Sequence, residues 1–381
     1  MSARVSGLAT RGATERYAQT FGAECAAGHY SDFLNLHLRL SSLGIGTFPG
    51  AATDAVDAAY AGTVQRAALA GINVFDTAAH YRYGRSARAL GEGLRRAFAD
   101  GVAREQVFVV AKGGFLAFDD GPPADLERWF DAHVVARGLG RREDLVGQHC
   151  LSASYVEAQL EAVCAATGLD SIDAFLLDQP EVHYAALGKE RAHRKIAEVF
   201  AALERAVRDG RIGCYGISSF DALRVETDAL LFQSLTSLLA LAERAAQGAR
   251  GDARTRHALR IVQLPFNQAM TEGFTRFSQA TGAGNVASSI QAAYQLRIYA
   301  MASHVMGKGA FAGTGADSVR ARLADLPSDA QRALQFARST PGIGTALVGV
   351  STPAHLDDVL AVARIAPLAR AEYLRLFERA Q

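Results

Sequence analysis

The residues best suited to chemistry in this chain are an acid and a phenol in the run VFDTAAHY at 74–81, namely Asp76 and Tyr81. A carboxylate and a tyrosine one short turn apart can move a proton if the tyrosine pKa, ordinarily near ~10, is lowered. A neighbouring ammonium group lowers that pKa, because it stabilises the phenolate. A proton-transfer site here therefore requires a lysine, a second polar group and a cofactor pocket around Tyr81.

The elements that position these residues follow from the hydrophobic pattern. Eight short apolar runs alternate with helical patterns, which predicts parallel β-strands connected by α-helices. This number of repeats favours an α/β fold of the closed (β/α)8 TIM-barrel type over an open doubly wound sheet. We expect one barrel domain over residues 40–368, an N-terminal extension over 1–39 packed on its outside, and a C-terminal tail over 369–381.

Three segments carry more specific expectations. The run at 40–47 predicts the first barrel strand, and the Leu- and Ala-rich segment at 221–246 predicts one long helix or a helix pair. The segment at 113–150 is rich in glycine and proline and interrupts the alternation of strands and helices. It therefore predicts a long loop at the active site.

Active sites of such barrels lie at the carboxyl ends of the strands. The predicted strands end on polar residues, namely Thr47, Asp76, Lys112, Asp178, Ser218, Ser219, Gln263, Ser303, Gly349 and Ser351. Asp76 and Lys112 come from neighbouring strands, so Lys112 can pair with Asp76 and lie near the Tyr81 hydroxyl. The alternative is an ion pair at the barrel mouth with a purely structural role.

Composition narrows the class of protein further. The 381 residues include 40 basic and 39 acidic side chains, a net charge of +1, which gives no electrostatic reason to expect nucleic acid or a membrane surface as a partner. The first residues contain no apolar signal segment, and no apolar run is long enough to span a bilayer. The four scattered cysteines predict reduced thiols and a cytoplasmic location.

Several blocks of the sequence resemble the aldo-keto reductase superfamily. In chain order they are GINVFDTAAHY at 71–81, Ser86 with LGE at 90–92, VAKGG at 110–114, YGISSF at 215–220, QLPFN at 263–267 and LVGVS at 347–351. The resemblance extends from about Leu40 to about Leu368. It implies a (β/α)8 barrel that binds NADPH, or less often NADH, across the strand ends, and that reduces a carbonyl or conjugated enone of a small organic substrate.

The resemblance also implies residue roles. Tyr81 would protonate the carbonyl oxygen, Lys112 would lower the pKa of Tyr81, and Asp76 would hold Lys112. The residues implied in cofactor binding are Ser218, Ser219 and Gln263 at the nicotinamide carboxamide and Ser303, Lys308, Gly349 and Ser351 nearer the phosphates and ribose.

The chain departs from the family pattern at its catalytic histidine. The block LLDQP at 176–180 carries Asp178 where the family has histidine. An ionised Asp178 would repel a developing oxyanion, whereas a protonated Asp178, favoured by burial beside Asp76, could donate a hydrogen bond. Steroid double-bond reductases of this superfamily carry a glutamate there, which points toward enones. A non-redox lyase, isomerase or cyclase using Tyr81, Lys112 and Asp178 is the alternative, and a non-catalytic binding module is a third reading.

The cofactor end departs from the pattern as well. Ala302 stands where many members have an aromatic residue that stacks on nicotinamide, and Asp358-Val359 replaces the usual Glu-Asn. Lys308 is the one obvious cation for a 2′-phosphate, so the preference for NADPH is an expectation from the family.

Three histidines are expected near the mouth of the barrel. His80 could replace the missing catalytic histidine, His149 could line the substrate pocket, and His183 is expected to be exposed. Their spacing does not match that of metal ligands, so no metal site is expected.

Overall fold

A computed structural model describes residues 4–33, 37–250, 256–282 and 284–378. The first and last residues of the predicted extension and tail, 1–3 and 379–381, lie outside these ranges. The strands are β1 (Tyr30–Phe33), β2 (Leu38–Ser41), β3 (Leu43–Gly46), β4 (Val74–Asp76), β5 (Phe108–Gly113), β6 (Leu145–Val146), β7 (His149–Cys150), β8 (Ile172–Asp178), β9 (Ile212–Ser218), β10 (Leu259–Pro265), β11 (Phe277–Gly282), β12 (Asn285–Ser288), β13 (Tyr299–Ser303) and β14 (Ile343–Gly349).

The α-helices lie mainly between successive barrel strands. They are α1 (Arg11–Thr20), α2 (Asp54–Ala68), α3 (Arg85–Ala99), α4 (Leu126–Phe130), α5 (Ala153–Thr167), α6 (Tyr184–Leu187), α7 (Lys189–Arg208), α8 (Leu235–Arg250), α9 (Glu272–Thr275), α10 (Ser289–Gln295), α11 (Asp317–Arg322), α12 (Asp329–Arg338), α13 (Pro353–Ala363) and α14 (Arg370–Arg375). In the described part of the chain, no helix is long and apolar enough to cross a membrane.

Eight parallel strands close into a barrel in the order β10-β13-β14-β3-β4-β5-β8-β9. Strands β5 and β8 are buried along their whole length, as expected for strands covered by helices on one side and by the barrel interior on the other. The predicted (β/α)8 TIM-barrel fold is therefore confirmed.

An antiparallel hairpin of β1 and β2 closes the amino-terminal end of the barrel. Phe33 packs edge-on against Phe108 and tilted against Tyr299, the first residues of β5 and β13. Leu38 and Leu40 belong to the same buried cluster. The run at 40–47 is therefore not one strand: β2 ends at Ser41 and the first barrel strand begins at Leu43.

The long helix predicted at 221–246 is wrong in its first half. Helix α8 begins at Leu235, and turns precede it. The polar side chains of this segment bond locally instead, as Arg224 does with the Phe220 carbonyl and Gln233 with the Ser234 carbonyl. Such bonds compete with the helical pattern.

The predicted loop at 113–150 is largely ordered structure. It contains α4 and the β6–β7 hairpin. With Tyr155 of α5 it forms a small apolar cluster, whose other members are Leu116, Phe118, Phe130, Val134 and Cys150. A second hairpin, β11–β12, follows β10 and has no counterpart among the predicted elements.

Candidate active site

A cavity of about 540 Å³ lies at the carboxyl ends of the barrel strands. Apart from Lys112, every predicted site residue lines it, namely Asp76, Tyr81, Asp178, Ser218, Ser219, Gln263, Ser303, Lys308, Gly349 and Ser351. Lys112 is only 1% exposed and reaches the site through Asp76. The barrel thus brings together residues that are distant in sequence.

Asp76 is the centre of a buried hydrogen-bond cluster. Lys112 Nζ lies 2.5 Å from each Asp76 carboxylate oxygen. Gln263 Nε2 donates to Asp76 Oδ2 at 3.0 Å, and Ser218 Oγ donates to Gln263 Oε1 at 3.2 Å. Charge-assisted bonds of this kind are among the strongest in proteins, so the cluster fixes the lysine below the cavity floor.

The Tyr81 ring stands over this ion pair. Lys112 Nζ lies 5.0 Å from the ring centroid, and the Phe48 ring packs edge-on at 5.0 Å. Burial, reinforced by the charges of Asp76 and Asp178, raises the pKa of Tyr81 well above its usual value. This direction is opposite to the lowering expected from Lys112, because burial of the phenol is the main cause. A tyrosine that stays protonated can serve as an acid.

Asp178 ends strand β8 and is 3% exposed. Burial raises the pKa of its carboxyl to about 6, against the opposing effects of Lys112 and Ser218. The next residue, Gln179, has a left-handed backbone with φ of 45°, and its N–H donates to the Ser218 carbonyl at 2.7 Å. Asp178 can therefore change its protonation state near neutral pH.

Two histidines lie behind Asp178 rather than at the cavity. His149 and His183 are both fully buried, so the expected exposure of His183 is wrong, and His149 does not line the cavity. His149 Nε2 lies 2.6 Å from the Asp178 carbonyl oxygen, and its Nδ1 lies 2.9 Å from His183 Nε2. Burial lowers the pKa of His149 to about 3 and that of His183 to about 4, so both rings are neutral.

Ser219 is held by a buried carboxylate that sequence reasoning missed. Its Oγ donates to Glu181 Oε1 at 2.7 Å, and the Phe220 N–H donates to the same oxygen at 2.9 Å. Glu181 is 4% exposed, and burial raises its pKa. It fixes the turn after β9 that places Ser219 at the cavity.

Other cavity residues were also missed. Phe220 and His304 pack edge-on with centroids 5.0 Å apart, and each directly follows a predicted site residue. His355 lines the cavity from the first turn of α13, whose N-cap is Thr352. The position next to a strand end was the signal for the first two, and the Pro353 start of a helix after Ser351 was the signal for the third.

The described residues contain no group of three or more His, Cys, Asp or Glu side chains that could hold a metal ion. The four cysteines are free and buried.

Comparison with known proteins gives one family match and one curated relative. The aldo/keto reductase family model matches residues 42–230. A D-threo-aldose 1-dehydrogenase from Pseudomonas sp is 34% identical over 158 residues, which are 40% of this chain and 42% of that protein. The match thus spans less than half of the relative's length.

Solved structures resemble the whole barrel. An aldo/keto reductase from Klebsiella pneumoniae, in complex with NADP and acetate, has a TM-score of 0.58 and 17% identity over 89% of this chain and 91% of its own. An aldo-keto reductase from Bacillus halodurans in its holo form has a TM-score of 0.58 and 16% identity over 92% and 95% of the two chains. At such identity the likeness concerns the fold alone. The family match identifies residues 42–230, from β3 to β9, as an aldo/keto reductase segment, and the solved structures share the fold of the whole barrel.

Proposed function

We propose that the protein is an NADPH-dependent oxidoreductase that reduces a carbonyl or conjugated enone of a small organic substrate, with Tyr81 as the proton donor. The observation that carries this proposal is the one cavity that has Tyr81, Asp76 and Asp178 at its floor and the expected cofactor-binding residues along its wall. A pocket of this size and mixed polarity suits a small-molecule site.

The cavity lining fits a nicotinamide dinucleotide. Lys308, Ser351 and His355 all line it, and the last two lie at or just before the first turn of α13. Cations and helix N-termini favour phosphate. Ser218 and Gln263 would hold the carboxamide beside Asp76. The Klebsiella neighbour was solved with NADP, which supports NADPH over NADH. When bound, the cofactor supplies a hydride.

The protein's own residues supply the proton. The raised pKa of Tyr81 keeps its hydroxyl protonated over the working pH range, so it can donate to the substrate oxygen. The ion pair of Lys112 and Asp76 forms a rigid support under the Tyr81 ring. Asp178, with its pKa at about 6, is the second titrating group at the floor.

Titration of the protein with NADPH, followed by nicotinamide fluorescence, tests the proposal. Binding at micromolar cofactor, weaker binding of NADH, and oxidation of NADPH by aldehydes or enones are expected. Because the Pseudomonas relative is named for aldose oxidation, aldoses with NADP⁺ belong in the same screen. Absence of binding at sub-millimolar NADPH would exclude the reductase.

A non-redox lyase, isomerase or cyclase is the second candidate, and Asp178 is the observation that favours it. A carboxyl with a pKa of about 6 beside a protonated Tyr81 is an acid/base pair that needs no cofactor. Turnover in the absence of any nicotinamide, lost in Tyr81→Phe, would support this candidate.

A further inference from the structure

His80 directly precedes Tyr81, and it lines the same cavity. The two rings pack edge-on with centroids 4.8 Å apart, and Phe115 lies against the other side of the imidazole at 5.2 Å. These aromatic neighbours hold the His80 ring at the cavity floor beside the tyrosine.

The two ring nitrogens of His80 differ in their surroundings. Nδ1 is buried and has no hydrogen-bond partner among the described residues. Nε2 is therefore the nitrogen left to face the cavity. A buried N–H without an acceptor is costly, so the ring proton belongs on Nε2.

His80 is a neutral donor over the whole working range. Burial, aided by the positive charge of Lys112, lowers its pKa to about 3. A neutral imidazole with its proton on the cavity side can donate one hydrogen bond to a ligand, and it does not act as a base while doing so.

Asp178 and Lys112 are unsuited to donate this hydrogen bond. Asp178 is an acceptor once ionised, above a pH of about 6. Lys112 does not line the cavity, and its ammonium group is bound by both oxygens of Asp76. Neither group would thus assist Tyr81 in holding a substrate oxygen, which has two lone pairs.

We propose that His80 donates a hydrogen bond from Nε2 to the substrate oxygen that receives the Tyr81 proton; this rests on the proposed reductase function. NADPH would supply the hydride to the carbonyl carbon and become NADP⁺. The C=O π pair would move to oxygen and take the proton of Tyr81, whose O–H bonding pair would stay on the phenolate oxygen. The tyrosinate regains a proton from solvent. His80 keeps its proton, and its hydrogen bond strengthens as charge develops on the oxygen.

Three substitutions separate donation from packing. The amide nitrogen of His80→Gln can reach the Nε2 position, that of His80→Asn can reach only the Nδ1 position, and His80→Leu has no donor. With NADPH and 4-nitrobenzaldehyde as the probe, we expect kcat to fall about 10²–10³-fold in the Leu and Asn variants. His80→Gln should stay within about tenfold of wild type. The affinity for NADPH should not change in any of them.

The exposed His133, stacked on Trp129, provides the matched control, and His133→Leu should leave kcat unchanged. Equal loss in His80→Gln and His80→Leu would assign His80 a packing role and overturn the proposal. Full activity in His80→Leu would overturn it as well.

A readout without turnover completes the test. In protein labelled with ¹⁵N-histidine and saturated with NADP⁺, which cannot reduce the probe, 4-nitrobenzaldehyde should shift the His80 Nε2–H proton resonance downfield. His80→Gln identifies that resonance. No shift in a saturated complex would contradict the proposal for His80 alone. If the wild-type protein does not bind NADPH, the result would contradict the proposed reductase function, and the proposal for His80, which depends on it, would fail as well.

Discussion

Two buried ion pairs lie at opposite ends of the barrel. At the amino-terminal end, Arg104 bonds Asp173 at 2.8 Å, with side chains 3% and 2% exposed. At the carboxyl end, Lys112 bonds Asp76 at 2.5 Å, with side chains 1% and 6% exposed. The side chains of the two pairs are thus buried to nearly the same extent.

The partners of the two carboxylates differ. Asp173 accepts backbone N–H bonds from Ala9 at 2.6 Å and Val109 at 2.7 Å, so it ties the N-terminal segment to the barrel. Asp76 has side-chain partners and lines the cavity. A buried pair bonded to backbone holds structure, whereas a pair beside an open cavity is available to chemistry.

The largest effect is expected at the carboxyl end. Tyr81→Phe removes the proposed proton donor but leaves the ring on Lys112, so kcat should fall by about 10²–10⁴-fold. NADPH affinity and the free energy of unfolding should change little. Steady-state kinetics and urea unfolding measure both, and full activity in this variant would place the proton donor elsewhere.

The opposite result is expected at the amino-terminal end. Arg104→Met leaves Asp173 charged and buried, and breaking a buried pair in this way costs about 3–5 kcal/mol of unfolding free energy. The kcat of the folded protein should not change. Arg95→Met, at an exposed pair with Glu92, is the control and should cost less than about 1 kcal/mol. If folded Arg104→Met had a lower kcat than wild type, the Arg104–Asp173 pair would not be purely structural.

A third effect depends on pH. Asp178 holds its proton more tightly in the folded than in the unfolded protein, because burial raises its pKa to about 6. Its contribution to stability is therefore present at low pH and is lost as the pH rises from about 4 to above 6, to the extent of about 3 kcal/mol. Asp178→Asn should be more stable than wild type at pH 7–8 and gain nothing at pH 3.5. An equal difference at both pH values would show that titration is not the cause.

The smallest effect concerns substrate choice. Asp178→His places a second neutral donor at the floor, and one added hydrogen bond is worth about 1 kcal/mol. Reduction of simple aldehydes should rise by roughly tenfold or less, measured as kcat/KM. Unchanged kinetics would mean that Asp178 does not control the choice of substrate.

The barrel and the floor of the site could be predicted from sequence, because the information is local. Asp76, Lys112 and Asp178 each end or lie in an apolar run long enough to be a buried strand, and closure of the barrel places the ends of parallel strands on one face. The acid, the lysine and the phenol followed from that placement.

The buried histidines could not be predicted, because their position depends on contacts across the chain. His149 reaches Asp178 because the segment at 113–150 turns back through β7. A Cβ on Gly114, which has φ of +131°, would lie 2.4 Å from His149 Nε2, so the approach requires glycine. Likewise, the direction of the Tyr81 pKa shift depends on how deeply the folded chain buries the phenol and on the nearby charges of Asp76 and Asp178.

The hairpin of β1 and β2 has a consequence for the timing of folding during synthesis. Ser31 bonds the carbonyl of Gly344 at 3.3 Å, and Phe33 packs on Tyr299. The first strands made by the ribosome can therefore complete their packing only after some of the last strands are made. At roughly 5–20 residues per second, synthesis of the intervening chain takes on the order of 15–60 s. During that interval Phe33, Leu38 and Leu40 lack the neighbours that β13 and β14 supply to their cluster, so this apolar surface is only partly covered in the nascent chain.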